Sequence, residues 1–185
     1  MSHTRSTDTD NTALALTLAL EEDARLDPAV AAAHAWYAPL LSHDRLRGVL
    51  NGEPIGHALH PLMTDLPLGL WISATTLDLV GGKDAERSAD RLLGLGVLAA
   101  MPTALTGAAD WFSGNKRVQR VGVVHAALNG VGLGMYATAY LLRRKDRRKL
   151  GKAVVLAAGA VVGVSGYLGG HMTIVQGYPE GGLAD

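Results

Sequence analysis

The charged residues leave long gaps. Arg91 and Asp110 enclose 18 uncharged residues, Arg120 and Arg143 enclose 22, and Lys152 and Glu180 enclose 27. A fourth stretch, 54–77, carries one charge, Asp65. About 20 helical residues cross a bilayer core of about 30 Å. Four such segments in 185 residues predict an all-α chain, an integral membrane four-helix bundle, rather than a soluble protein with apolar core helices. The spans are expected at 61–80, 92–110, 121–142 and 153–174. Asp65 and Asp78 fall near the two ends of the first, and Pro67 lies inside it. Neighbouring helices in a bundle re-satisfy the backbone groups a proline frees.

Composition narrows the function. Lys and Arg number 17, Asp and Glu 17, and this zero net charge argues against a dedicated nucleic-acid binder. With no cysteine the chain has no disulfide framework, thiol nucleophile or iron–sulfur ligands. The 23 glycines suit spanning helices that approach closely. Gly130 and Gly134, and Gly159 and Gly163, stand four apart and offer faces for a homo-oligomer. No Ser/His/Asp order, phosphate loop or HExxH is present, so hydrolase or nucleotide chemistry has no support and enzymatic activity stays open.

The first residues differ. Residues 1–12 are rich in Ser, Thr and Asp and predict a disordered tail. An amphipathic helical region is expected over 13–53, with helices at 13–26 and 28–41 and a short amphipathic turn at 44–50. Asp27 serves as the N-cap of the second and Pro28 as its first helical residue. These helices either cap the bundle or lie in the headgroup layer. The apolar run at 13–20 is followed by acids and has no basic start, so it is not a secretory signal. The spanning domain is expected over 54–177, with a tail at 178–185.

Basic residues set the orientation. Lys83, Arg87 and Arg91 lie between the first two spans, and Arg143, Arg144, Lys145, Arg147, Arg148, Lys149 and Lys152 between the last two. The other side has Arg45, Arg47, Lys116, Arg117 and Arg120. The positive-inside rule places the larger group in the cytoplasm and both termini outside.

With spans alternating, one set of polar residues shares the outward layer: His57, His60, Asp65, Asp110, Trp111, His125, Asn129 and His171. His3, His34 and His43 are expected to face solvent. Thr103, Thr106 and Asp110 form one polar stripe, and Asp65, Gly69, Ser73 and Thr76 another, both expected to face the bundle interior. Imidazoles ligate transition metals and haem iron, and bundles hold such groups between facing helices. His60, His125 and His171 are therefore candidate cofactor ligands for haem b or a transition metal. His125 and His171 would face each other across a space cleared by Gly166, Gly169 and Gly170. His57, His60, Asp65, Asp110, His125 and His171 form the wider candidate metal set, with Asn129 and Trp111 as positioning partners. A single outward site cannot pass electrons across the membrane by itself, so a redox role is local, with quinone or an extracytoplasmic partner. The competing reading is a cofactor-free structural or assembly subunit in which these groups tie helix ends together.

Four ordered motifs carry a resemblance: GHALHPLMTDLPLGLW (56–71), ALTGAADW (104–111), VGVVHAALN (121–129) and GYLGGHM (166–172). Over residues 45–177 the chain resembles a family of bacterial four-span membrane proteins, domain of unknown function 2231. The LDP at 26–28 and the GVLNG at 48–52 are similar to its actinobacterial branch. The resemblance implies the bacterial cytoplasmic membrane. It also implies an electron-transfer setting, because members often carry or neighbour a Rieske iron–sulfur domain; a Rieske-type protein is thus an expected partner. The family's histidine positions fall on His57, His60, His125 and His171, its acidic position on Asp110 and its asparagine on Asn129. Ala58 departs from a usual proline, and the aromatic expected just after the last motif is displaced.

Overall fold

A computed structural model describes residues 11–178. His3, nearly all of the expected 1–12 tail and all but Tyr178 of the 178–185 tail lie outside the described residues. Among the described residues the chain is all-α, with no strand. Three short helices come first: α1 Thr12–Glu22, α2 Asp27–Leu41 and α3 Asp44–Asn51. Four long ones follow: α4 Leu59–Val80, α5 Glu86–Phe112, α6 Lys116–Arg144 and α7 Arg148–Gly170, the last continued by one π turn, His171–Val175.

Local chemistry explains the boundaries. Asn11 and Asn115 cap α1 and α6, their side chains accepting from Leu14 and Val118 N–H at 3.1 Å. Gly52 ends α3 with φ +88°, and a Cβ there would lie 1.9 Å from the His57 carbonyl. The expected cap at Asp27 is displaced by one residue: Asp27 is already helical and Leu26 is the N-cap. The Asp27 carboxylate bonds Arg120 instead. The first helix also stops short of the expected 26, at Glu22, and a 3-10 turn over Ala24–Leu26 follows.

Connections of three to five residues reverse the chain between the long helices, so α4 packs on α5 and α6 on α7. Trp71 stacks on Tyr136 with ring centroids 4.0 Å apart, and Ala74, Leu93, Ala139, Val155, Ala158 and Val162 complete that core. A second cluster lies at the other end, where Leu41 of α2 meets Ala108 and Ala109 of α5. Thus α2 and α3 pack across the α5 end, and α1 and α2 pack on α6.

Two corrections to the sequence reading arise from packing. Thr103, Thr106 and Asp110 are buried as expected, but Asp65, Gly69, Ser73 and Thr76 of α4 are exposed. Trp71 and Asp78 fix the rotation of α4, since one is stacked and the other ion-paired inside. Three of the four glycines spaced four apart do not join the helices either: Gly130, Gly134 and Gly163 have nothing within 4 Å, and Gly159 alone meets a neighbour, the Tyr136 hydroxyl, at 3.6 Å from its Cβ position. Other glycines bring helices together, such as Gly132 against Val162 and Gly96 against Trp71.

Two helices are long and apolar enough to cross a membrane: Glu86–Phe112 and Arg148–Val175. Helices α4 and α6 match in length but carry His60, Asp65 and Asp78, and His125 and Asn129, within their spans.

Candidate functional site

The first turn of α4 and the middle of α5 place one histidine. His60 Nδ1–H donates to the Thr103 carbonyl at 3.0 Å, with Thr106 Oγ1 at 3.3 Å. A carbonyl only accepts, so the proton sits on Nδ1 and the Nε2 lone pair is left for another partner. The ring lies against Gly107, where a Cβ would come within 2.6 Å of Cε1.

His125 is held similarly between α6 and α7. Its Nδ1–H donates to the Ser165 carbonyl at 2.8 Å, and Ser165 Oγ donates back to the His125 carbonyl at 2.9 Å. Asn129, one turn on, donates Nδ2–H to His125 Nε2 at 3.0 Å. The pairing of Asn129 with His125 is the one the sequence predicts. Gly169 clears room for the ring, its Cβ position lying 3.1 Å from His125 Cε1; Gly166 and Gly170 have open space beside them.

His171 does not face His125. The π turn carries it toward α1, where Nε2 meets Glu21 Oε1 at 2.5 Å, the two side chains 2% and 8% exposed. The remaining candidates scatter. His57 is exposed and bonds its neighbour Gly56. Asp65 is exposed, and Asp110 is buried beneath the Tyr178 hydroxyl, which donates to its backbone carbonyl. Trp111 Nε1–H donates to the Gln119 carbonyl at 3.0 Å rather than positioning a histidine ligand. Among the described residues, no three of the His, Asp or Glu side chains converge as a metal-binding group. No three members of the six-residue set therefore converge among the described residues.

Several partners there escaped the sequence reading. His34 is half-buried, its ring 4.8 Å from Trp111 and 4.5 Å from Phe112, and its Nε2 is 2.7 Å from Gln119 Nε2. His43 is exposed as expected. Arg120 joins the Asp27 carboxylate at 2.7 Å and the Glu21 carbonyl at 3.0 Å, and Arg117 pairs Glu22 at 2.7 Å. The only sequence signal was an acidic end of α1 matched by a basic start of α6. The Arg120 guanidinium holds the Asp27 carboxyl below its usual range.

The opposite end has a second polar cluster that the sequence reading treated only as a topology signal. Arg143, fully buried, pairs with Asp78, and with Asp90 at 3.1 Å. Arg148 reaches Asp90 at 2.9 Å and Glu86 at 3.0 Å, and Lys152 donates to the Asp78 carbonyl at 2.9 Å. Six side chains from all four long helices thus form one network with three positive and three negative charges.

A family described as "Predicted membrane protein (DUF2231)" matches residues 56–179. No curated protein and no solved structure matches the chain.

Proposed function

The chain belongs to the DUF2231 family of predicted membrane proteins, and from that premise we propose that it is a four-span structural or assembly subunit of a membrane complex. All four long helices cross in this reading. Helix α4, with 22 residues, reaches about 33 Å at 1.5 Å per residue, enough for the bilayer core. Large apolar side chains are exposed on every long helix: Leu66 and Ile72 on α4, Leu98 and Met101 on α5, Val131 on α6 and Val164 on α7. Such a band suits lipid contact and is far more than a soluble surface ordinarily presents. The basic connections then face the cytoplasm, and both termini and α1–α3 lie outside. Gly130, Gly134, Gly159 and Gly163, all exposed, remain the faces for a homo-oligomer.

One observation carries the cofactor-free reading. Each of His60, His125 and His171 is bonded to a group on another helix, so each ring ties two elements together. The polar groups therefore have a use in holding the fold that needs no added ligand. Replacing all three with Ala should leave metal and haem content unchanged and lower the melting temperature in detergent.

A second reading rests on the ring geometry. In both His60 and His125, Nδ1–H is fixed on a carbonyl, the arrangement that orients an imidazole toward a metal; Nε2 of His60 is left for a ligand, whereas Nε2 of His125 would first have to give up the Asn129 N–H. These two rings are the pair that would take haem b or a transition metal, with a Rieske-type protein as the outside partner. The family and the geometry supply no third ligand for it. A reduced-minus-oxidised spectrum with metal analysis of the purified chain decides: a Soret band and sharp α-band, lost in a His60→Ala/His125→Ala variant, would replace the first reading by the second.

A further inference from the structure

The cations of the inner end divide into two groups. Arg143, Arg148 and Lys152 are matched by Asp78, Glu86 and Asp90 in the buried network. Lys83, Arg87 and Arg91 by the first hairpin, and Arg144, Lys145, Arg147 and Lys149 at the second, are exposed. None of these seven has an ion-pair partner among the described residues. The exposed acids beside them are Asp84 and Asp146. Seven cations against two acids leave this surface at +5, in a chain whose net charge is zero.

We infer that this end is a docking surface for anionic phospholipid, with the headgroup phosphate on the exposed cations of the α6–α7 turn. Four of the seven cations crowd into six residues, 144–149, so a phosphate there meets several at once. The carboxylates that might have neutralised them are engaged inside by other residues. Apolar surface adjoins the cations: Leu79 and Val80 of α4 and Leu150 and Leu156 of α7 are exposed. A cleft between α4 and α7 is lined by Thr75, Asp78, Leu79, Lys152, Val155 and Leu156, with the Asp78 carboxylate engaged by Arg143 and Lys152. An acyl chain covers such a cleft while its phosphate stays at the level of Lys149, one turn nearer the α6–α7 connection. A nucleic acid would meet the charges and leave the apolar surface bare. This inference rests on the membrane reading, and on the basic end facing a leaflet that contains anionic lipid.

The test reconstitutes the full chain into phosphatidylcholine vesicles with phosphatidylglycerol as a minor component, then re-extracts it in neutral detergent and quantifies the lipid that stays bound. Bound phosphatidylglycerol is expected to exceed its bulk share about fivefold or more, with the excess falling as salt is raised. A variant carrying Arg144→Gln, Lys145→Gln, Arg147→Gln and Lys149→Gln should lose the excess and keep its melting temperature, because the network around Arg143 is untouched. A Lys116→Gln variant at the other end should keep it. Bound lipid at the bulk ratio, an excess indifferent to salt, or an excess retained by the four-site variant would each overturn the inference. Release of the bound lipid by single-stranded RNA at physiological salt would also overturn it, in favour of a nucleic acid. If the four-site variant fails to fold, the salt series on the native chain decides alone. Removal of the chain from vesicles by an alkaline wash would instead overturn the membrane reading itself.

Discussion

Arg143 carries its charge with none of its side chain in solvent, beside an Asp78 that is 5% exposed. A buried charge without its partner costs several kcal/mol, so Arg143→Ala should destabilise the bundle by about 3–5 kcal/mol. Thermal unfolding in detergent measures this. Combining Arg143→Ala with Asp78→Asn should cost less than the sum of the two single losses, because both remove the same pair, while Asp78 in the single variant keeps Arg148 and Lys152 beside it. At the other end, Glu21→Gln weakens a charge-assisted contact to His171 and should cost about 1.5–3 kcal/mol by the same measurement. Gly107→Ala should also destabilise, by about 1–3 kcal/mol, since a methyl would push into the His60 ring. The sequence made part of this legible. Asn129 and His125 stand four apart on one helix, so their contact follows from spacing alone. Glu21 and His171 are 150 residues apart, and nothing local in either segment announces the pair.

At the scale of elements, the long helices could be read from charge gaps; in the proposed four-span reading a crossing segment and a gap have the same cause, the cost of desolvating charge. Their ends could not. Helix α5 begins at Glu86, six residues before its gap, and α6 runs to Arg144, two beyond its own, because Arg143 pairs with Asp90 and Arg148 with Glu86 and Asp90 inside the bundle. The rotation of α4 was also hidden, since its small and polar stripe and its Trp71 face compete for the interior and stacking on Tyr136 prevails. The N-terminal helices behave as a clamped cap, held on α6 by Arg117 and Arg120. Asp27 gives this clamp a pH dependence. Its folded-state pKa lies below the ordinary value, so its contribution is present above the ordinary carboxylate range and is lost as pH falls through the depressed value. Proteolysis of the 22–27 junction should therefore be slow at neutral pH and accelerate in acid, below about pH 4. Arg120→Ala should make it fast at neutral pH too.

For the whole molecule, the two ends have different polar chemistry. The end around Arg143 joins all four long helices through charges, and the opposite end joins α6 and the His171 turn to α1 and α2 through histidines and a smaller set of ion pairs. Between them lies an apolar core around Trp71 and Tyr136, with apolar side chains also exposed outside it. The central claim is that all four long helices cross the bilayer. The most direct test uses the absence of cysteine, which allows single thiols to be placed at Ser113, between α5 and α6, and at Lys145, between α6 and α7. A membrane-impermeant maleimide should label Ser113→Cys while the cytoplasmic membrane is intact, and Lys145→Cys only after it is opened. Labelling of both positions from the same side would contradict four crossings, and is what a chain crossing through α5 and α7 alone would give.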